Sequence, residues 1–280
     1  MSTLTSPGLD LTALRALRGL RRDHTPLLAR IEAHVAAHDG YLAFSGGKDS
    51  AVVLDLARRV DPALPVVWFD SGCEFPETRT YIHDLADTWG LNLTVIRAQP
   101  TLLEVLVAGG GWDHRAPDRA VPNLHEVLIT APARLAHDMF GAGELWGVRS
   151  AEAKGRRHLH NAALAAQIRA HCRGCCPPRS LQQRQRHGGT LARVDGTTAY
   201  SPIWDWPTTR VWEYLAAHGI PLNPVYAKLR DLGAPEHATR VAHVVDANQL
   251  EAGRISWLRR GWPTLFAELV EHLPRLADFV

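Results

Sequence analysis

Residues 41–50 of this chain, with the sequence YLAFSGGKDS, decide its fold. The first four residues are apolar and predict a short buried strand, and the apolar residues 51–60 predict a helix. Gly46 and Gly47 lie between them, and glycine lets a backbone approach a ligand closely. A loop that opens a helix points backbone N–H groups and the positive end of the helix dipole at an anion. The segment therefore predicts a phosphate-binding loop.

Two other phosphate-binding loops do not fit this spacing. A Walker loop needs four residues between its first glycine and its Gly-Lys pair, and the glycine pattern of a dinucleotide-binding loop is also missing. In the predicted loop, Lys48 would supply positive charge to a departing pyrophosphate. The alternative interpretation is a tight turn with an exposed lysine. The predicted nucleotide-binding residues of the loop are Ser45, Gly46, Gly47, Lys48, Asp49 and Ser50.

Strands and helices alternate along the following sequence. This alternation indicates an α/β fold with a doubly wound, mostly parallel sheet flanked by helices. Ligands of such sheets bind beyond the carboxyl ends of the strands, so the loops at Ser45, Asp70 and Arg149 should share one crevice. The predicted elements are strands at residues 65–69, 91–96 and 144–148, and helices at residues 76–89, 102–107 and 124–140.

The chain divides into three predicted parts. Residues 1–37 form an N-terminal helical segment, residues 38–226 form the nucleotide-binding domain, and residues 227–280 form a helical extension packed on it. Within the domain, residues 172–198 are rich in Arg, Gln, Gly and Pro and predict a long loop or a mobile lid.

The composition excludes several classes of protein. The 280 residues carry a net charge of only +2, which gives no support for a general nucleic-acid binder. We find no signal peptide and no apolar run of membrane-spanning length, so no membrane partner is expected. The four cysteines, three of them clustered, do not form the framework of a secreted disulfide-rich domain. We therefore expect a cytoplasmic protein.

Four ordered blocks of sequence carry a resemblance to a known family. The SGGKDS loop is the signature of PP-loop ATP pyrophosphatases, which belong to the adenine nucleotide alpha hydrolase-like superfamily. Three further blocks resemble the phosphoadenylyl-sulfate (PAPS) reductase-like branch of that superfamily. These blocks are FDSGCEFPET at residues 69–78, GVRSAEAKGRR at residues 147–157, and SPIWDWPTTRVWEYL at residues 201–215 followed by IPLNPVY at residues 220–226.

The resemblance implies a five-stranded parallel sheet and a set of site residues. Lys48, Asp49 and Arg149 are implied as catalytic residues, with Asp49 and Asp70 as Mg²⁺ ligands. Arginine suits the phosphate site because its planar guanidinium binds oxyanions in pairs of hydrogen bonds. The alternative is that these arginines are solvated surface charges. The further nucleotide-binding residues implied are Phe69, Asp70, Ser71, Gly147, Arg149, Arg156 and Arg157.

One departure from the reductases directs the functional prediction. The family's reductases attack sulfur with a cysteine near the C-terminus, whereas this sequence has no cysteine after Cys176. We therefore predict an ATP pyrophosphatase or adenylyltransferase that transfers AMP to a substrate and releases pyrophosphate, as in DNA phosphorothioation or tRNA thiolation. The alternatives are a divergent PAPS reductase or PAPS-binding protein, and a non-catalytic nucleotide-binding subunit. The partners implied are a sulfur donor such as a cysteine desulfurase, a nucleic-acid acceptor and a second copy of the chain.

The cysteine cluster has several interpretations. Cys172, Cys175 and Cys176 could supply three thiolates to an iron–sulfur cluster. Zinc would need a fourth ligand, for which His171 or Cys73 is available. Free thiols, a redox pair and a sulfur carrier remain alternatives. His158 and His160 could line the nucleotide site, whereas structural or surface roles are expected for both.

Overall fold

The computed structural model describes residues 11–108, 123–245 and 254–280. Two helices precede the sheet, α1 (Leu11–Leu20) and α2 (Thr25–Ala37). The elements that follow up to residue 145 are β1 (Gly40–Ala43), α3 (Lys48–Arg58), β2 (Val66–Asp70), α4 (Pro76–Trp89), β3 (Leu93–Arg97), α5 (Leu102–Ala108), a π-helical turn (Glu126–Thr130), α6 (Ala131–Phe140) and β4 (Gly143–Leu145). The elements after residue 145 are α7 (Lys154–His171), α8 (Leu181–His187), β5 (Thr190–Ala192), β6 (Thr198–Tyr200), α9 (Thr208–His218), α10 (Val225–Asp231), a 3₁₀ turn (Glu236–Ala238), α11 (Arg254–Gly261), α12 (Pro263–His272) and a second 3₁₀ turn (Pro274–Phe279).

The sheet confirms the predicted α/β class. Its strand order is β3-β2-β1-β4-β6-β5, and the neighbouring pairs among the first five of these strands are parallel. Only β5 runs antiparallel, against β6. The implied five-stranded parallel sheet is therefore present and carries one additional strand at its edge.

Residues 172–198, predicted as a long loop or mobile lid, contain more regular secondary structure than a long loop would. They contain α8 and β5, and β6 begins at Thr198. The strands β5 and β6 form a hairpin whose turn contains Asp195 and Gly196. Gly196 has φ +88°, and Asp195 Oδ1 accepts a hydrogen bond from the Thr197 amide at 3.0 Å. The prediction was wrong because three-residue strands are too short to show a period. The Asp-Gly pair was the signal of a hairpin turn.

The helix α3 lies at the centre of the molecule. Every residue from Ser50 to Ala57 is buried, and one core cluster joins α3 to residues of α2, β1, β2 and α9. A second cluster packs α10, α11 and α12 against Phe75 and α5. The core residue Ile31 of the N-terminal segment shares its cluster with Leu42 of β1. The three-part division of the chain stays a prediction.

None of the helices in the described ranges is both long and apolar enough to span a membrane.

Candidate functional site

The loop between β1 and α3 has the shape expected of a phosphate cradle. Gly46 has φ +70°, a left-handed conformation that favours glycine, and Gly47 is the extended residue from which α3 begins. The hydroxyl of Ser50 closes the loop, because it accepts from the Ser45 amide at 3.3 Å and donates to the Gly47 carbonyl at 3.0 Å. The loop is therefore held in place by its own polar groups at the N-terminus of a buried helix.

Three charged side chains meet beside this loop. One carboxylate oxygen of Asp49 accepts from Lys48 Nζ at 2.9 Å, and the other accepts from Arg149 Nε at 2.7 Å. Arg149 is only 1% exposed, and its Nη1 donates to the Trp206 carbonyl at 2.8 Å. The three predicted catalytic residues are thus one network, in which the carboxylate of Asp49 lies between two cations.

The loop that carries Arg149 packs closely on α3. A Cβ at Gly147 would lie 2.7 Å from the Ser50 amide nitrogen, so the chain can make this approach only with glycine there. The strand predicted at residues 144–148 ends at Leu145, and residues 146–153 form the connection to α7. Because of the close approach at Gly147, the end of β4 brings Arg149 to Asp49.

Two residues that the sequence prediction missed support the loop from the C-terminal side. Tyr226 Oη accepts from the Lys48 amide at 3.0 Å, and Asn223 Nδ2 donates to the Gly46 carbonyl at 3.3 Å. Burial raises the pKa of Tyr226, which keeps its hydroxyl protonated at neutral pH. Both residues lie in the block at residues 220–226, so the resemblance contained the signal. The Lys48 amide at the N-terminus of α3 is therefore already hydrogen-bonded within the protein.

Asp70 lies at the carboxyl end of β2 and is 3% exposed. Its two oxygens accept from Arg79 Nη1 at 2.8 Å and Nη2 at 2.9 Å, and Oδ1 also accepts from the Gly72 amide. The neighbouring Ser71 hydroxyl donates to Glu74 at 2.5 Å, and Phe69 is half-buried. Asp70 is therefore held by a paired arginine, which the sequence prediction also missed.

The two arginines in the first turn of α7 differ. Arg156 Nη1 pairs with Glu152 Oε2 at 2.6 Å, and the same oxygen accepts from the Arg149 amide at 2.7 Å. The structure thus brings Arg156 to the Arg149 loop, whereas Arg157 is exposed.

His158 and His160 of α7 also differ. His158 is exposed, whereas His160 is buried, with Nε2 lying 3.1 Å from the Val148 carbonyl. Burial lowers the pKa of His160. This histidine therefore has the contacts of a structural residue.

The three clustered cysteines meet a fourth side chain. Sγ of Cys172, Cys175 and Cys176 and a ring nitrogen of His187 all lie within 4.8 Å of one another. The fourth ligand predicted from sequence was wrong, since His171 is exposed and lies outside this group. His187 is brought in because α8 folds the chain back toward the end of α7.

Cys73, the other candidate for the fourth ligand, lies elsewhere. It is buried in the cluster of α5 and the C-terminal helices, where burial raises its thiol pKa to about 12.

Comparisons with known proteins identify the family. The family described as the phosphoadenosine phosphosulfate reductase domain matches residues 40–234. The phosphoadenosine 5'-phosphosulfate reductase of Serratia proteamaculans is 28% identical over 189 residues, which are 66% of this chain and 64% of that protein. The same enzyme of Xanthomonas oryzae is 28% identical over 229 residues, 80% of this chain and 81% of that protein.

A solved structure shares the fold. The PAPS reductase of Candida auris, in its phosphate complex, superposes with a TM-score of 0.51 at 16% identity and covers 84% of this chain and 99% of its own. The family match spans the Ser45 loop, Asp70, Arg149 and Tyr226.

Proposed function

The chain belongs to the phosphoadenosine phosphosulfate reductase domain family, and on that premise we propose that it binds ATP at the Ser45–Ser50 loop and cleaves the bond between the α- and β-phosphates. In the proposed reaction a substrate oxygen attacks the α-phosphorus, the substrate receives AMP, and pyrophosphate leaves. A sulfur nucleophile then displaces AMP. The single observation that carries the proposal is the network of Lys48, Asp49 and Arg149 at the start of α3.

The network assigns different roles to its two cations. Arg149 is buried and bonded to Asp49 and to the Trp206 carbonyl, so it is a positioning residue that holds the carboxylate. Lys48 and Arg149 both pair with the carboxylate of Asp49, so the three side chains together keep a net charge of +1. That charge lies beside backbone N–H groups at a helix N-terminus, where it would stabilise negative charge on the departing pyrophosphate.

Mg²⁺ is expected to accompany the nucleotide, because it offsets phosphate charge. Asp49 fits as a ligand, since its side chain is 14% exposed and each oxygen accepts only one hydrogen bond here. Asp70 does not fit, because its carboxylate is buried and already bonded to both terminal nitrogens of Arg79.

A second candidate function is the reduction of a sulfonucleotide. It is favoured by the curated relatives, which are PAPS reductases at 28% identity. That reaction needs a thiol that attacks sulfur, and Cys73 is poorly suited because burial raises its thiol pKa to about 12. The thiols of the 172–176 segment would have to serve instead. The sulfur donor, the nucleic-acid acceptor, a second copy of the chain and the cytoplasmic location all stay predictions.

The test compares nucleotide binding and turnover. We expect the purified chain to bind ATP more tightly than PAPS, and to release AMP and pyrophosphate from ATP when tRNA or DNA and sulfide are supplied. Lys48→Ala should lower that turnover by about a hundredfold or more, as for the loss of one transition-state donor. Arg259→Ala, which removes an exposed cation on α11, is the control and should leave turnover unchanged. Sulfite release from PAPS with a thiol donor, or tighter binding of PAPS than of ATP, would contradict the proposal.

A further inference from the structure

We propose that Cys172, Cys175, Cys176 and His187 bind a single zinc ion in a closed, structural site. This site is separate from the phosphate loop, and the inference does not depend on the proposed ATP chemistry. It rests on the positions of the four ligand atoms and on the turn that holds them.

The distances match those around one tetrahedral ion. Cys175 Sγ lies 3.4 Å from Cys172 Sγ, 3.7 Å from Cys176 Sγ and 3.5 Å from His187 Nε2. Zinc binds sulfur at about 2.3 Å and imidazole nitrogen at about 2.0 Å, so tetrahedral geometry separates two sulfurs by about 3.8 Å and a sulfur and a nitrogen by about 3.5 Å. The three distances from Cys175 Sγ are therefore close to those around one zinc ion, and the other three pairs of ligand atoms lie within 4.8 Å of each other.

An iron–sulfur cluster fits this arrangement less well. In a four-iron cluster each cysteine binds a different iron and points outward from it, so the thiolates stand farther apart than around a single ion. Here all four ligand atoms lie within 4.8 Å of one another, and one of them belongs to histidine. A compact set of three thiolates and one imidazole is the ligand set of a structural zinc site.

The turn that presents the cysteines also orients one of them. Gly174 has φ +81°, which lets the chain reverse between Cys172 and Cys175. Gln183 Nε2 donates a hydrogen bond to Cys172 Sγ at 3.7 Å. A donor to a ligand sulfur helps to orient it, as outer-sphere contacts do in metal sites.

The ion would join the end of α7 to the end of α8. Cys172 directly follows α7, and His187 is the last residue of α8. Beyond His187, a Cβ at Gly188 would collide with the Trp204 ring, so the chain lies directly on that ring. The carbonyl of Trp204 accepts from the Ser150 amide at 2.7 Å. With four protein ligands no coordination position stays open, so the ion would have a structural role and would fix the segment that packs beside the Arg149 loop.

Metal analysis tests the inference without any nucleotide. Protein purified anaerobically, without chelators, from cells supplied with both zinc and iron should contain about one zinc per chain. Replacement by cobalt(II) should give the intense visible bands of tetrahedral thiolate coordination. Chelation of the metal should lower the thermal unfolding temperature of the full chain, because a ligand that binds only the folded state stabilises it.

Paired variants identify the ligands. Cys176→Ser and His187→Ala should lose zinc, whereas Cys73→Ala and His171→Ala, which alter a cysteine and a histidine outside the group, should keep it. If the ligand variants fail to fold, the cobalt spectrum of the unmodified protein still decides the coordination. Iron with acid-labile sulfide would overturn the proposal, and so would a metal-free protein with free thiols or a Cys172–Cys175 disulfide. If Lys48→Ala loses ATP turnover but keeps zinc, the zinc site is independent of the proposed ATP chemistry.

Discussion

The phosphate loop collects polar side chains from distant parts of the chain, whereas the cysteine group collects them from the single segment of residues 172–187, and the two sites satisfy them differently. At the loop, opposite charges meet, and the two oxygens of Asp49 are shared by Lys48 and Arg149. In the cysteine group, four electron-pair donors face one another within 4.8 Å. The first site is therefore preorganised by the protein itself, whereas the second becomes fully satisfied only when a cation binds. Ligand removal should accordingly affect the second site far more than the first.

The largest expected effect on the free energy of unfolding comes from removing the Asp49 carboxylate at the phosphate loop. In Asp49→Ala the guanidinium of Arg149, whose side chain is 2% exposed, loses its carboxylate. Removal of one partner from a buried ion pair costs about 3–5 kcal/mol. Urea unfolding should show this loss in the free energy of unfolding, with or without a zinc chelator.

The matched control is an ion pair on the surface. Glu126 and Arg134 pair at 3.2 Å with side chains 49% and 64% exposed. Glu126→Ala should cost less than about 1 kcal/mol, because water screens exposed pairs. If Asp49→Ala costs no more than this control, the loop is not held together by its charge network.

A smaller effect is expected where the Arg149 loop approaches α3. In Gly147→Ala the new Cβ would lie 2.7 Å from the Ser50 amide nitrogen, and backbone cannot move as easily as a flexible side chain. We expect a loss of about 1–3 kcal/mol in the free energy of unfolding, as for overpacked sites, together with weaker ATP binding.

Gly155→Ala provides the control for this substitution. Gly155 lies in the first turn of α7, and no atom lies within 4 Å of its Cβ position. Alanine should stabilise the protein there by at most about 1 kcal/mol, since it favours the helix over glycine. Equal unfolding midpoints for the two variants would refute the close approach at Gly147.

The smallest expected effect is a pH dependence of the free energy of unfolding that comes from His34, which lies in neither the phosphate loop nor the cysteine group. His34 on α2 packs near Tyr200 of β6, and burial lowers its pKa from 6.5 to about 4. Because the unfolded chain binds a proton at higher pH than the folded one, this contribution is complete above pH 6.5 and declines as the pH falls toward 4. Between pH 7 and pH 5.5 the loss should be on the order of 1 kcal/mol.

The measurement is chemical denaturation at the two pH values. His34→Leu should show a weaker pH dependence than the unmodified protein, because the variant has no proton to bind at this position. His83→Leu, on the outer face of α4, is the comparison, since it removes a histidine from a different helix. An unchanged pH dependence in His34→Leu would place the titrating group elsewhere.

The sequence predicted what depends on short stretches of chain. The glycine loop, the strand that ends at Asp70 and the arginine after β4 each follow from a few consecutive residues and the rule that parallel strands end at one edge. The sequence could not predict partners whose contacts depend on how neighbouring helices and loops pack together. Arg79, Asn223 and His187 each look like an ordinary surface residue of a helix or turn until the fold is known. The edge strand β5 was missed for a different reason, because its three residues are too few to show alternation.

The hydrogen bonds that join Asn223 and Tyr226 to the phosphate loop also bear on the order of folding. They join residues 177 and 178 positions apart in sequence. Contacts of such long range form late, because loop closure must precede them, and the N-terminal part of a chain emerges first during synthesis. A nascent chain can therefore build β1 and α3 well before the loop between them has its final shape. Under the proposed function, the capacity to bind ATP would then arise only once residues 220–226 have docked.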